Sequence, residues 1–320
     1  MWSPADWSWL AGLMDILMPA WFHGKPVLTF HATSFDPERA LSMMGRHRVR
    51  NVLLTPTVLK LIRQVPDPWD RFGLDLRSVI SGSEAVGKDL LEEMNTRLGV
   101  QINEGFGQTE CNMVLGNCAS LRHTRIGSLG SAIPGHIAGI VDDQGDTLPS
   151  GNFGNLAFRR PDPVMMLEYW RNPKATREKF AGEWLLTGDL ATCDEEGFYW
   201  FLGRSDDVIK SSGYRIGPVE IEDAILRHPK VAQAAVIGVP DSDRAEIVKA
   251  FIVLQTGQTE TDELKDEIRN SVRDRLAKHE YPREIEFVDS LPMTTTGKVI
   301  RRMLRDKERD KRLNSDAAPR

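Results

Sequence analysis

The sequence predicts an α/β protein in which a mainly parallel sheet with a small β subdomain is followed by a compact α+β domain. Three textures along the chain carry that prediction. Residues 27–110 alternate short apolar runs (26–30, 52–54, 78–81) with amphipathic helical stretches (56–64, 88–98), the rhythm of βαβ units. Residues 139–202 are broken into short strands by the turn clusters 142–145, 149–151 and 194–197, which implies a small antiparallel subdomain. Beyond residue 203 a helix is expected over 219–228, strands over 234–239 and 248–254, and a second helix over 261–278. Within that second helix Leu264, Ile268, Val272 and Leu276 recur every four residues and form one apolar stripe. The tail 301–320 mixes both charge signs without apolar periodicity and reads as a solvated helix that frays.

With 320 residues, 41% hydrophobic and 27% charged, the chain is long enough for two ordinary globular domains. A net charge of -5 opposes general binding of nucleic acid, which needs clustered Lys and Arg. The three cysteines, Cys111, Cys118 and Cys193, have no metal-ligand spacing; they read as buried thiols in a reducing, cytoplasmic setting. Near the start, Trp2, Trp7, Trp9 and the apolar run 10–18 suggest a membrane anchor at first sight. Asp15 interrupts the run and Pro19 ends it, so it is too short to span a membrane, and a helix buried in a core is expected.

Four polar, glycine-rich segments are not explained by core packing. The first is Glu104, Gly105, Phe106, Gly107, Gln108, Thr109 and Glu110, after the strand-like 100–102. Its glycines let a backbone approach a flat ligand, Phe106 can stack on a ring, and Glu110 offers a hard oxygen to Mg2+; a plain surface loop fits equally well. The second, residues 184–190, ends an apolar strand on Gly188 and Asp189, where a carboxylate can accept from a ribose diol or simply make a turn. The third, residues 203–216, crowds charge and glycine where the texture changes, which suits a hinge or a linker. The fourth, residues 292–301, superficially matches a nucleotide phosphate loop. Pro292 and Val299 stand where that pattern requires glycine and a hydroxyl, so what remains is Lys298 on a Thr/Gly turn, able to present a positive charge to an anionic transition state.

In the order GFGQTE, WLLTGDLA, GRSDDVIKSSGYRIGPVEIE and PMTTTGKVIRR, these segments resemble the adenylate-forming enzymes: acyl-CoA synthetases, luciferases and the adenylation domains of peptide synthetases. The resemblance runs to about Arg305, and SSGYRIGPVEIE together with the strand Lys249, Ala250 and Phe251 is most similar to short- and medium-chain acyl-CoA synthetases. It implies an incomplete N-terminal adenylate-forming domain over 1–203, a hinge over 204–210 and a small mobile domain over 211–320. By resemblance, Glu104, Gly105, Phe106, Gly107, Gln108 and Thr109 line the adenylate site, with Gly82, Ser83 and Glu84 on its other side. Glu110 would hold Mg2+, Asp189 the ribose, and Arg204 the nucleotide. Asp206 would be the hinge point, and Lys298, with Thr109 and Glu110, would serve adenylation. Ser212, Gly213, Tyr214 and Arg244 would meet coenzyme A. The implied reaction activates a small carboxylic acid with ATP and Mg2+ and passes the acyl group to coenzyme A, without nucleic acid or membrane.

The same resemblance places a Ser/Thr/Gly-rich loop ending in Pro-Lys upstream of these motifs, and residues 1–320 contain none. The expectation is therefore weak or no adenylation by this chain alone, with thioester formation from supplied acyl-adenylate retained. Glu280 reverses the charge of a lysine usual before Tyr-Pro, which would weaken a coenzyme A phosphate contact, and Met293 replaces another lysine. Two alternatives stay open: a catalytically impaired or inactive fragment, and an adenylation enzyme serving another thiol acceptor. Trp21, Phe22, Val114 and Leu115 are candidates for an acyl pocket or for ordinary core.

Overall fold

The computed structural model describes the chain except residues 31–34, 85, 242, 278, 294–298 and 317–320, and no side chain beyond residue 312. The chain separates into two compact units, Met1–Phe201 and Leu202–Arg320.

In the first unit, β1 (Asn51–Leu53), β2 (Ser78–Gly82), β3 (Ile102–Gln108), β4 (Asn112–Gly116) and β5 (Ser131–Ala132) form one sheet in that order. β1, β2 and β3 run parallel, as the βαβ rhythm predicts, whereas β4 and β5 extend the sheet antiparallel. Only residues 109–111 connect β3 to β4, too few for a crossover, so the chain has to fold straight back. The helices Pro56–Ile62 and Lys88–Leu98 pack Leu59, Ile62, Met94 and Leu98 against Val52 and Val79 of the sheet. Thr55 Oγ1 caps the first by accepting from the Val58 amide, and Gly99 ends the second in the left-handed conformation that favours glycine.

Two expectations for the start of the chain change. Residues 26–30 are no strand; their backbone bonds run to residue 1, the Met1 amino group donating to Pro26 O and the Leu28 amide to Met1 O. The apolar run does become helical, Leu10–Gly12 and Met18–Phe22 flanking a π-helical Leu13–Leu17, but it is buried on one side only. Ile16, Leu17 and Ala20 face inward while Trp7, Trp9, Met14, Met18, Trp21 and Phe22 are exposed.

A second sheet is built from β6 (Ala138–Val141), β7 (Gly154–Arg159), β8 (Phe180–Ala181), β9 (Trp184–Cys193) and β10 (Tyr199–Arg204), in the order β10-β9-β7-β6 with β8 on β9. The β6–β7, β7–β9 and β8–β9 ladders are antiparallel, as the turn clusters imply. Leu156, Phe158 and Leu185 share a core with Val114 and Leu115 of β4, which makes the last two core residues and fuses the sheets into one body. Of the cysteines, only Cys111 is fully buried, and burial pushes its thiol up to about 12.

The division between units falls within β10. In the second unit β11 (Ile209–Ser211), β12 (Tyr214–Ile216), β13 (Val231–Asp241), β14 (Ala245–Leu254) and β15 (Glu284–Phe287) form a sheet in the order β12-β11-β14-β13, with β15 parallel to β14. On one face the helices Pro218–Leu226 and Asp262–Arg273 bury Ile221, Ile225, Leu264, Ile268 and Val272. The other face receives Leu304 of the last helix, Arg301–Asp316. That helix is therefore not the solvated tail its composition suggests. Lys249 of β14 is buried and needs carboxylates, and Glu308 of the helix supplies one at 2.8 Å beside Glu286 of β15 at 2.9 Å.

Candidate functional site

Where β2 ends beside β3, Gly82 pairs with Gly105 so closely that a Cβ on Gly82 would lie 2.4 Å from Gly105 O. Glycine at 82 is thus a requirement of the backbone approach. Ser83 follows at φ 69, its hydroxyl donating to Gly82 O at 2.6 Å. The buried Glu104 accepts from the Val86 amide at 3.1 Å, which fixes the loop carrying Ser83 and Glu84 against β3. Phe106 lies with its ring against Phe158, centroids 6.4 Å apart, so at least one side of the ring packs on the core. At the bulge after Phe106, a Cβ on Gly107 would collide with Asn112 O at 2.0 Å.

Gln108 brings the first segment to the second. Its Nε2 donates to Thr187 O at 3.2 Å, and the Lys179 ammonium donates to Gln108 Oε1 at 2.9 Å and to Thr187 O at 3.2 Å. Thr187 is itself pinned, its hydroxyl donating to Leu156 O at 2.8 Å and accepting from the Asp189 amide at 3.0 Å. Asp189 is buried next to it, after Gly188 at φ 82. Thr109 is exposed. Glu110 Oε1 accepts from the Tyr169 hydroxyl at 2.6 Å, and burial together with this bond pushes the phenol up to about 12, so it stays a donor at neutral pH. Among the described residues no group of three His, Cys, Asp or Glu side chains gathers to hold a metal ion. A single Glu110 carboxylate fits Mg2+, which typically takes one or two carboxylates and fills its other positions with phosphate oxygens and water.

The second unit holds its motif residues by charge. Arg204 pairs with Asp206 at 3.5 Å, both exposed. The adjoining Asp207 is largely buried and pairs with Arg301 at 3.4 Å and with Arg305. Arg301 also forks onto both oxygens of Glu222 at 3.1 and 2.7 Å, and Glu222 accepts from the Val236 amide at 2.8 Å. Burial raises the Glu222 carboxyl above its ordinary range, against the pull of Arg301. At the β11–β12 turn Ser212 and Gly213 have φ 50 and 85. Arg244 donates to Ser212 Oγ at 3.2 Å, and its carbonyl accepts from the Ser212 amide at 3.0 Å. Tyr214 stacks on His279, centroids 4.0 Å apart. Glu280 Oε2 accepts from the Ala277 amide at 3.0 Å, a local cap that explains a carboxylate there. Lys298 lies outside the described residues; on either side of it Met293 and Val299 pair, and the Ile300 amide donates to Pro292 O at 2.8 Å. Tyr169, Lys179, Asp207, Glu222 and Arg301 escaped the sequence reading as partners of the motifs.

The geometry describes a glycine-lined strand joined to a buried aspartate strand, followed by a small second unit whose motif residues are tied by ion pairs. Residues 1–170 match the family model of the AMP-binding enzyme, and residues 220–298 that of the AMP-binding enzyme C-terminal domain. The chain belongs to the AMP-binding enzyme family, with its adenylate-forming fold. It is 35% identical over 320 residues to the uncharacterized acyl-CoA ligase YtcI of Bacillus subtilis (strain 168), covering 99% of this chain and 60% of that one. It is 38% identical over 316 residues to the mitochondrial acyl-coenzyme A synthetase ACSM1 of Mus musculus, covering 96% and 54%. An anthranilate CoA ligase solved with anthranoyl-AMP superposes with a TM-score of 0.84 at 34% identity, over 96% of this chain and 59% of that one. The chain thus spans between 54% and 60% of the length of these relatives. Among the described residues no helix is long and apolar enough to cross a membrane.

Proposed function

We propose that this chain carries the acyl-adenylate site and the small domain of an AMP-forming acyl-CoA synthetase acting on a short- or medium-chain carboxylic acid. The observation that carries the reading is the Gln108–Thr187 contact, through which the segment 104–109 and the strand bearing Asp189 form one surface. Its two faces suit a nucleotide: close-packed glycine backbone for a flat base, and a carboxylate for a ribose diol.

In the first half-reaction a carboxylate oxygen of the acid bonds to the α-phosphorus of ATP and the bond to pyrophosphate breaks. In the second, the sulfur of coenzyme A bonds to the acyl carbon, its proton leaves to solvent, and the carbon–oxygen bond to AMP breaks. Segment 104–109 and the Gly82, Ser83 and Glu84 loop orient the adenylate, Asp189 holds the ribose, and Arg204 meets the nucleotide. Lys298 brings positive charge to the crowded phosphorus, and positioning plus charge neutralisation accounts for most of such catalysis. Glu110 would hold Mg2+, which when bound would add to the neutralisation of the phosphates. Asp206 is the hinge, and Ser212, Gly213, Tyr214 and Arg244 receive coenzyme A. The free cysteines support a cytoplasmic setting.

Exchange of labelled pyrophosphate into ATP, measured with acetate, butyrate, octanoate and benzoate, tests the reading. Exchange that depends on one acid and disappears in Lys298→Ala upholds it and names the acid. A second reading is that residues 1–320 on their own form thioester from supplied acyl-adenylate without adenylating. Coenzyme A consumption from synthetic butyryl-AMP, without any exchange, selects that reading. Inactivity in both assays with a folded chain leaves the impaired form.

A further inference from the structure

The hairpin of β8 and β9 pairs Phe180 with Leu185 and Ala181 with Trp184, and the Leu186 amide donates to Lys179 O at 2.9 Å. This register sets Lys179, just past the helix Pro173–Glu178, beside Thr187. Gln108 Oε1 and Thr187 O both carry partial negative charge, and one ammonium donates to the two, at 2.9 and 3.2 Å. We propose that Lys179 is a positioning residue that ties segment 105–109 to segment 187–189 and so fixes the spacing of the two halves of the adenylate surface. The proposal rests on the adenylate reading of those segments.

Two features make a side-chain tie necessary here. The bulge between Phe106 and Gly107 shifts the β3–β4 ladder, after which only two pairs, Gly107 with Met113 and Gln108 with Asn112, hold the end of β3. Thr187 passes any shift of its backbone directly to Asp189, whose amide its hydroxyl accepts. The short helix that precedes Lys179 is part of the same grip: Thr176 Oγ1 accepts from the Tyr169 amide at 2.9 Å, and the Tyr169 hydroxyl donates to Glu110. Residues 169–179 therefore hold 108–110 at both ends, by Lys179 on Gln108 and by Tyr169 on Glu110. An open cleft of about 520 Å³ lined by Tyr169, Trp170, Asn172, Ala175, Glu178 and Lys179 runs beside these contacts.

Amide hydrogen exchange of the unliganded chain and binding of butyryl-sulfamoyl-adenosine, a stable mimic of the acyl-adenylate, test this together. In Lys179→Met, segments 105–109 and 187–189 both exchange faster, analogue affinity falls roughly tenfold, as loss of a charge-assisted bond implies, and Lys179→Arg restores both. Gln108→Met loosens the same two segments, and adding it to Lys179→Met loosens them no further; it also decides the matter if Lys179→Met does not fold. Unchanged exchange in both segments, loosening of only one, additivity of the two substitutions, or failure of arginine to restore overturns the proposal. If the unsubstituted chain does not bind the analogue while Lys179→Met still loosens both segments, the tie stands and the adenylate reading falls.

Discussion

In the first unit the motif segments meet through glycine backbones, amides and hydroxyls, with Lys179 as the cation between Gln108 and Thr187. In the second they are held by a chain of ions, Asp206 and Asp207 to Arg305, Asp207 and Glu222 to Arg301. The difference lies in what each design tolerates. Breaking one neutral hydrogen bond among several costs a fraction of the site's order, whereas removing one ion from a buried set strands its partner's charge. The first unit is therefore sensitive to shape and the second to charge, and substitutions can separate the two.

The largest effect is expected from Arg301→Met, which leaves Glu222 and Asp207 without their shared cation and destabilises the second unit by about 4 kcal/mol. All eight tryptophans fall within Met1–Phe201, so calorimetry should detect an early transition that tryptophan fluorescence does not follow. Coincident early transitions by both probes would erase the contrast. Gly82→Ala is the counterpart in the first unit. Its methyl meets the Gly105 carbonyl, the strands must part, and a loss of about 3 kcal/mol should appear in the fluorescence transition.

A pH-dependent effect of similar size belongs to Asp15 in the π-helical turn. Burial holds its carboxyl up at about 6, so the folded chain binds that proton more tightly than the unfolded chain. The resulting stabilisation is full below roughly pH 4 and is lost as pH rises through the folded value, above which the buried charge opposes folding. Asp15→Asn should then stabilise the first unit by about 3 kcal/mol at pH 8 and by almost nothing at pH 3, read from unfolding midpoints across that range. The smallest effect is that of Arg204→Ala. Its exposed partner Asp206 gives a pair worth below about 1 kcal/mol, so both transitions stay in place while nucleotide affinity, in the proposed function, weakens.

Much of this architecture was legible in sequence periodicity, and the reasons for the exceptions are physical. The stripe Leu264, Ile268 and Val272 announced its helix because burial there follows one face. The last helix was legible as a helix but not as a buried one, since its buried side is Leu304 and the carboxylate Glu308, and a charge pattern does not reveal which member will be sealed against Lys249. The motif segments were legible as strings, but their supports were not. Lys179 follows a short polar helix and reads as solvated; only the register of the next hairpin, Phe180 opposite Leu185, turns it toward Thr187. Asp207 beside Asp206 posed the same difficulty: one is largely buried and the other exposed, a distinction that Arg301 and Arg305, nearly a hundred residues on, create.

The enclosure of Lys249 has a practical consequence. Its amine sits between Glu286 and Glu308, while lysines such as Lys174 stand in water. An amine-reactive acylating reagent will mark the exposed lysines at once and reach Lys249 only after β14 and the last helix have separated. The fraction of Lys249 carrying the tag, read by peptide mass spectrometry against Lys174, is thus a clock for the opening of the second unit that requires no engineered label.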